Sequence, residues 1–183
     1  MTFFATKARV YNRGMPPDSF LQELVAWGSV APDDIFQPNP NPDDIYALIS
    51  PVLSPWQSEV YRRAAMLEAM RVHAGFESSW NWNEGVDETN QHSLHNRNGE
   101  ETGIFQVSFD STAFAGMMDF AAMKAVGTVD TFIPAMKANH QLAMEYYARL
   151  VRVSIKWAGP LISKAIVPWL SRASVREFVT LIS

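Results

Sequence analysis

Apolar residues recur at three- and four-residue intervals along much of the chain, and the pattern predicts mainly helices. The longest periodic stretch opens at Ser54-Pro55-Trp56-Gln57. It offers a serine cap, a proline at the first helical position and a glutamine at the capping-box position, and it should run to about Phe76. Met66, Met70, His73 and Ala74 share one face of this helix, and Glu77 continues that face at its end. A shorter helix is expected over 20–27, capped by Asp18 or Ser19 and stopped by Gly28. Asp43-Asp44 leads another through Ile49. Further on, a helix over 112–124 follows Asp110 or Ser111 and ends near Gly127, and a long one covers 134–156. Gly159-Pro160 breaks it, a short helix covers 161–167, and Ser174-Val175-Arg176-Glu177 reads as a capping box opening the last helix.

Two stretches lack this periodicity. Residues 31–42 hold Pro32, Pro38, Pro40 and Pro42, which exclude regular structure and suggest a loop wrapped around the domain. Residues 81–100 are polar, with Asn81, Asn83, Asn90, Asn96 and Asn98, and suit a hairpin or a long ordered loop. The fold class is therefore mainly α, with at most a small β element between Trp82 and Val107. A length of 183 residues fits one domain: a helical, proline-rich segment over 1–53 packed on a core over 54–183.

Composition narrows the function classes. Hydrophobic residues make up 48% and charged residues 19%, a folded composition and not a disordered one. The net charge of -4 argues against nucleic acid as the main partner. The absence of cysteine removes disulfides and thiolate chemistry. No run approaches the roughly 20 apolar residues of a membrane span. Residues 1–9 carry no secretory signal pattern, so the expectation is synthesis in the cytoplasm and, for an external substrate, delivery by another route.

The chemistry concentrates in two stretches. Ala74-Gly75-Phe76-Glu77-Ser78-Ser79-Trp80-Asn81-Trp82 puts a carboxylate at the end of an apolar helix, where it should be partly buried. Glu101-Thr102-Gly103-Ile104-Phe105-Gln106-Val107-Ser108 offers a second carboxylate, a glycine turn and an apolar segment. Glycosidic cleavage needs two such groups: one protonates the leaving oxygen, and the other stabilises the sugar cation or activates water. A lone helix-end Glu is usually a solvated surface residue, and the adjacent acids Glu100 and Glu101 usually a solvated loop. Glu100 and Asp87 are alternatives to Glu101. Trp80 and Trp82 either stack on sugar rings or pin the loop to the core. Asn81, Asn83, Gln91 and His92 suit hydroxyl and acetamido groups, or are simply loop polarity. One of Tyr146 and Tyr147 can face the cleft, while at least one should be core. Ile104 and Phe105 are expected in the core under any reading. His73, His92 and His95 make no convincing metal set, and no phosphate loop or serine-centred elbow is present.

The pair of motifs resembles the lysozyme superfamily. Glu77-Ser78-Ser79-Trp80-Asn81 followed by Glu101-Thr102-Gly103-Ile104-Phe105-Gln106-Val107 is similar to the E-S-x-F-N and D-Y-G-I-F-Q-I-N-S runs of c-type lysozymes. It is also similar to the E-S-x-x and G-L-M-Q-V runs of goose-type lysozymes and lytic transglycosylases. The likeness covers roughly residues 70–111. It implies a lysozyme-like α+β fold, Glu77 as catalytic acid, Glu101 as second carboxylate, and Gln106 and Ser108 lining the cleft with Trp80, Asn81, Trp82, Tyr146 and Tyr147. The wider sequence gap between the carboxylates, Glu in place of Asp, and the absence of c-type disulfides mark a distant member.

The implied activity is cleavage of the N-acetylmuramic acid–N-acetylglucosamine bond of peptidoglycan, with no cofactor. A lytic transglycosylase using Glu77 as both acid and base is the next reading. A chitinase- or chitosanase-like hydrolase and a non-catalytic glycan-binding module on the same scaffold follow. A wall-degrading enzyme without a signal suggests a phage endolysin or a toxin delivered by type VI secretion, the latter implying a cognate immunity or inhibitor protein in the cleft.

Overall fold

The computed structural model describes residues 1–85 and 96–183 and is mainly helical. Its helices are α1 (Asp18–Val30), α2 (Ile45–Leu53), α3 (Glu59–Ser78), α4 (Val129–Ala138), α5 (His140–Val153), α6 (Gly159–Ile162) and α7 (Arg172–Ile182). Among the described residues β pairing is limited to isolated bridges, Val10 with Gly14 and Thr102 with Val107. No described helix is long and apolar enough to cross a membrane.

The architecture is built around α3. Every residue from Ala64 to Gly75 is buried, because α1, α2 and α7 pack on it from different sides. Small residues make this possible. A Cβ on Gly28 of α1 would lie 2.6 Å from Leu67 Cδ1, so the glycine does not stop α1 but lets it approach α3. Glu68 and Arg71, both fully buried on α3, form a two-bond pair (2.7 and 2.8 Å). The pair also holds three chain segments: Arg71 donates to the carbonyls of Ala8 (2.9 Å) and Trp169 (3.4 Å), and the Ser171 amide donates to Glu68 (2.8 Å).

Several boundaries differ from the periodicity for local reasons. Ser54 closes α2, its amide bonding to Ser50, and α3 starts only at Glu59, under Ser58, whose hydroxyl accepts from the Tyr61 amide (3.0 Å). The expected long helix over 134–156 is two helices, because the Asn139 side chain caps α5 by accepting from Leu142 (3.1 Å). The stretch expected as a helix over 112–124 holds only 3₁₀ turns, Phe109–Ala113 and Ala121–Ala125. Of the expected helix over 161–167, α6 supplies only the start, and a 3₁₀ turn, Val167–Trp169, follows. The last helix is capped by Ser171, and Glu177 is not its capping-box partner. Instead Glu177 accepts from the amides of Phe4 (2.7 Å) and Thr6 (2.6 Å), tying the N-terminal turn to α7.

The proline-rich stretch is not wholly irregular: Asp33–Phe36 forms a 3₁₀ turn between prolines and buries Ile35 and Phe36. The following loop is fastened by Asn41, which donates to the carbonyls of Arg152 (3.1 Å) and Val153 (2.7 Å) at the end of α5.

Candidate active site

Glu77 lies in the last turn of α3, where the helix leaves the core and its side chain is 18% exposed. The chain reverses directly after it. Ser79 (φ 54°) and Trp80 (φ 63°) are both left-handed, and the Trp80 amide bonds back to the Ala74 carbonyl (3.2 Å). This folds the Trp80 indole under the helix, where its Nε1 donates to the Arg71 carbonyl (2.9 Å). Gly75 leaves the room: a Cβ there would meet Trp80 Cζ2 at 2.7 Å and Val10 Cγ1 at 3.2 Å. Gly75→Ala is therefore expected to lower stability by about 1–3 kcal/mol in thermal unfolding, because a rigid, hydrogen-bonded indole cannot step aside. The helix-propensity gain of about 1 kcal/mol offsets part of that.

The second stretch forms a closed turn against this helix end. Thr102 and Val107 exchange backbone hydrogen bonds (2.9 and 3.1 Å). Inside the turn, Gly103 (φ 70°) and Gln106 (φ 48°) are left-handed, and the buried Gln106 side chain donates to the Gly103 carbonyl (2.9 Å). The Gly103 amide donates to the Glu84 carbonyl (3.0 Å). Ser78, adjacent to Glu77, joins the two stretches: its hydroxyl lies 2.8 Å from the Ile104 carbonyl and 3.1 Å from that of Ala74. A Cβ on Gly103 would sit 3.2 Å from the Met136 carbonyl oxygen. Gly103→Ala should destabilise the protein by about 1–2 kcal/mol, the cost of a left-handed non-glycine residue, as read by denaturant unfolding.

Glu77 has buried aromatic neighbours. His73, one turn earlier and fully buried, places Nε2 2.8 Å from Glu77 Oε1, so the carboxyl is not without a basic partner. The contact is bent away from hydrogen-bond geometry, and neither ring nitrogen has a hydrogen-bond partner among the described residues. The His73 ring packs on Tyr147 (5.3 Å between centroids) and edge-on to Trp157 (5.8 Å), and Phe105 stacks on Tyr147 at 4.1 Å. The Tyr147 hydroxyl, Trp157 Nε1 and Thr102 Oγ1 are likewise buried without partners. Burial, with the charge of Glu77 adding to it, holds the Tyr147 phenol well above its ordinary range, so it remains a neutral donor.

The remaining residues proposed from the sequence separate by burial. Trp80 is 5% exposed, so it pins the loop to the core and presents no face to a sugar. Trp82 is half-buried; it stacks on His140 at 3.7 Å and lies 6.1 Å from Phe20. His140 in turn pairs through Nδ1 with Glu23. Asn81 is exposed, but its side chain accepts from the Asn83 amide (3.0 Å) and donates to Glu84 (3.0 Å), which organises its own turn. Tyr146 is core, its hydroxyl donating to the Ser108 carbonyl (3.2 Å), and burial raises its phenol well above the ordinary value. Ser108 is half-buried, its hydroxyl 3.4 Å from that of Ser111. Ile104 and Phe105 are core.

Glu101 is partly buried at the start of the Thr102–Val107 bridge. Glu100, its alternative, is engaged by Arg97 (2.5 Å), which also reaches Asp130 (3.0 Å). Asp87, Asn90, Gln91, His92 and His95 lie outside the described residues. Among the described residues, no three acidic or histidine side chains gather as a metal site. The chain matches no known protein family, no curated protein and no solved structure.

Trp157 carried no sequence signal, and Thr102 lay inside the second motif without being singled out. Trp157 follows the end of α5, where neither helical spacing nor a motif ties it to Glu77. The pocket between Asp34, Asn39, Met117, Arg149 and Arg152 does not include Glu77, and its arginines are already paired, Arg149 with Asp34 (2.8 Å) and Arg152 with Asp44 (2.9 Å).

Proposed function

We propose that this chain is a glycosidase of lysozyme-like fold that cleaves peptidoglycan between N-acetylmuramic acid and N-acetylglucosamine, with Glu77 as general acid. One observation carries the reading: the Ser78–Ile104 hydrogen bond fastens the Glu77 end of α3 to the Gly103 turn. Two stretches resembling the paired lysozyme motifs thus meet in space. Glu77, partly exposed beside buried aromatic rings, delivers its proton to the glycosidic oxygen as the bond to the sugar carbon breaks. Glu101 is assigned as the ionised carboxylate that stabilises the oxocarbenium-like transition state. Gln106 and Ser108 are assigned to the wall of the cleft; the hairpin or long loop expected between Trp82 and Val107 falls largely on residues 86–95, outside the described residues.

The test is mass spectrometry of products from purified peptidoglycan treated with wild type and with Glu77→Gln. Reducing-end muropeptides from wild type alone are expected. Products lighter by one water would assign a lytic transglycosylase, in which the muramic 6-hydroxyl replaces water. No release by wild type would overturn the peptidoglycan assignment, and chitin oligomers would be the next substrate.

A further inference from the structure

His73 is a poor choice for its position if packing were its only role. It is fully buried on α3, and both ring nitrogens lack a hydrogen-bond partner among the described residues. A phenylalanine there would pack against Tyr147 and edge-on to Trp157 without stranding two polar atoms. Buried polar atoms left unpaired cost stability, and each instance in a native protein calls for a reason. Here they cluster. The Tyr147 hydroxyl and Trp157 Nε1, also without partners among the described residues, belong to the two rings that clamp His73. Tyr147 and Trp157 themselves pack edge to face at 6.1 Å, so the imidazole has little freedom to turn. Its Nε2 is held 2.8 Å from Glu77 Oε1.

We propose that His73 is the positioning residue for Glu77, an inference that rests on the glycosidase reading. With its proton on Nε2, the ring donates to Oε1 and fixes the carboxyl rotation, leaving Oε2 to carry the transferable proton. In the reacting complex the bent contact straightens into a hydrogen bond, as catalytic hydrogen bonds do on substrate binding. The Oε2 proton passes to the glycosidic oxygen, which keeps the electron pair of the breaking bond and departs as a hydroxyl, while water adds to the sugar carbon and its released proton goes to the carboxylates of the site. Glu77 is left as a carboxylate whose Oε1 accepts from His73. Tyr147 and Trp157 hold the ring in place and do not touch substrate.

The experiment compares wild type, His73→Phe and His73→Gln by steady-state kinetics on solubilised peptidoglycan and by thermal unfolding. His73→Phe keeps ring volume and removes both nitrogens. It should unfold at or above the wild-type temperature, yet lose about 100-fold in kcat with little change in KM, the scale of a misplaced catalytic group. His73→Gln, which keeps an amide donor, should recover part of the loss. A packing role predicts the reverse: a lower unfolding temperature with unchanged kcat per folded molecule. An active wild type whose His73→Phe variant keeps wild-type kcat overturns this inference alone. A wild type that releases nothing overturns the glycosidase reading and this inference with it.

Discussion

Replacing Glu77 with glutamine is expected to leave the fold intact and to slow glycan cleavage by about 10²–10⁴-fold, the range of a lost general acid. Glutamine keeps the volume and hydrogen-bonding capacity of the side chain but has no transferable proton. The side chain sits at a helix end and is 18% exposed, so it needs no new cavity and leaves no buried charge stripped. Stability should change by less than about 1 kcal/mol. Equal falls in kcat and kcat/KM would identify an interaction made only in the transition state. Retained activity would remove Glu77 from the chemistry, whatever the substrate. Loss of activity accompanied by unfolding would place the residue in the scaffold and not in the reaction.

The largest expected effect on stability belongs to Arg71. Burial pushes the Glu68 carboxyl above its ordinary range, and the Arg71 guanidinium and the Ser171 amide oppose it. Arg71→Met would keep the length of the stem but leave that carboxyl facing an apolar interior. It would also free the Ala8 and Trp169 carbonyls from their donor. Removing one partner of a buried pair costs about 3–5 kcal/mol. In a chain of this length that lowers the melting temperature by about 6–20 °C. The double variant Glu68→Leu/Arg71→Met removes both charges and should recover most of the loss in urea unfolding. A double variant as unstable as the sum of the single changes would show that the carbonyl contacts, and not the stranded charge, set the cost. The same pair connects to the candidate site, because the Arg71 carbonyl accepts from Trp80, whose indole holds the chain reversal after Glu77.

Local signals placed most of the helices but often not their caps: Asp44 caps α2 as expected, whereas neither Asp18 nor Ser19 caps α1, which follows Pro17 without a side-chain cap. Ser54-Pro55 looked like a helix start, but Ser54 is the end of α2. Gly28 looked like a stop, but it is the contact point between α1 and Leu67. In both cases a side chain distant in sequence, or the needs of the preceding helix, outweighed the local preference. The candidate site shows the same division. The spacing of His73 and Glu77 on one face was legible, and they are in contact. That Trp80 turns inward was not legible, since left-handed conformations at Ser79 and Trp80 follow from the room beside Gly75 and the Arg71 carbonyl.

The sequence by itself determined that this is a mainly helical chain without disulfides, with a long apolar helix ending in Glu77 and a glycine-containing stretch after a second acid. Helical period and composition act over a few residues and can be read without the fold. Only the tertiary structure decided what surrounds Glu77. The Ser78 hydroxyl on Ile104, the clamp of Tyr147 and Trp157 on His73, and the burial of Trp80 join residues from separate segments. Such contacts are set by how α3 is enclosed by its neighbours. Close packing of large rings against a few small residues chooses among arrangements that the local pattern leaves equally open.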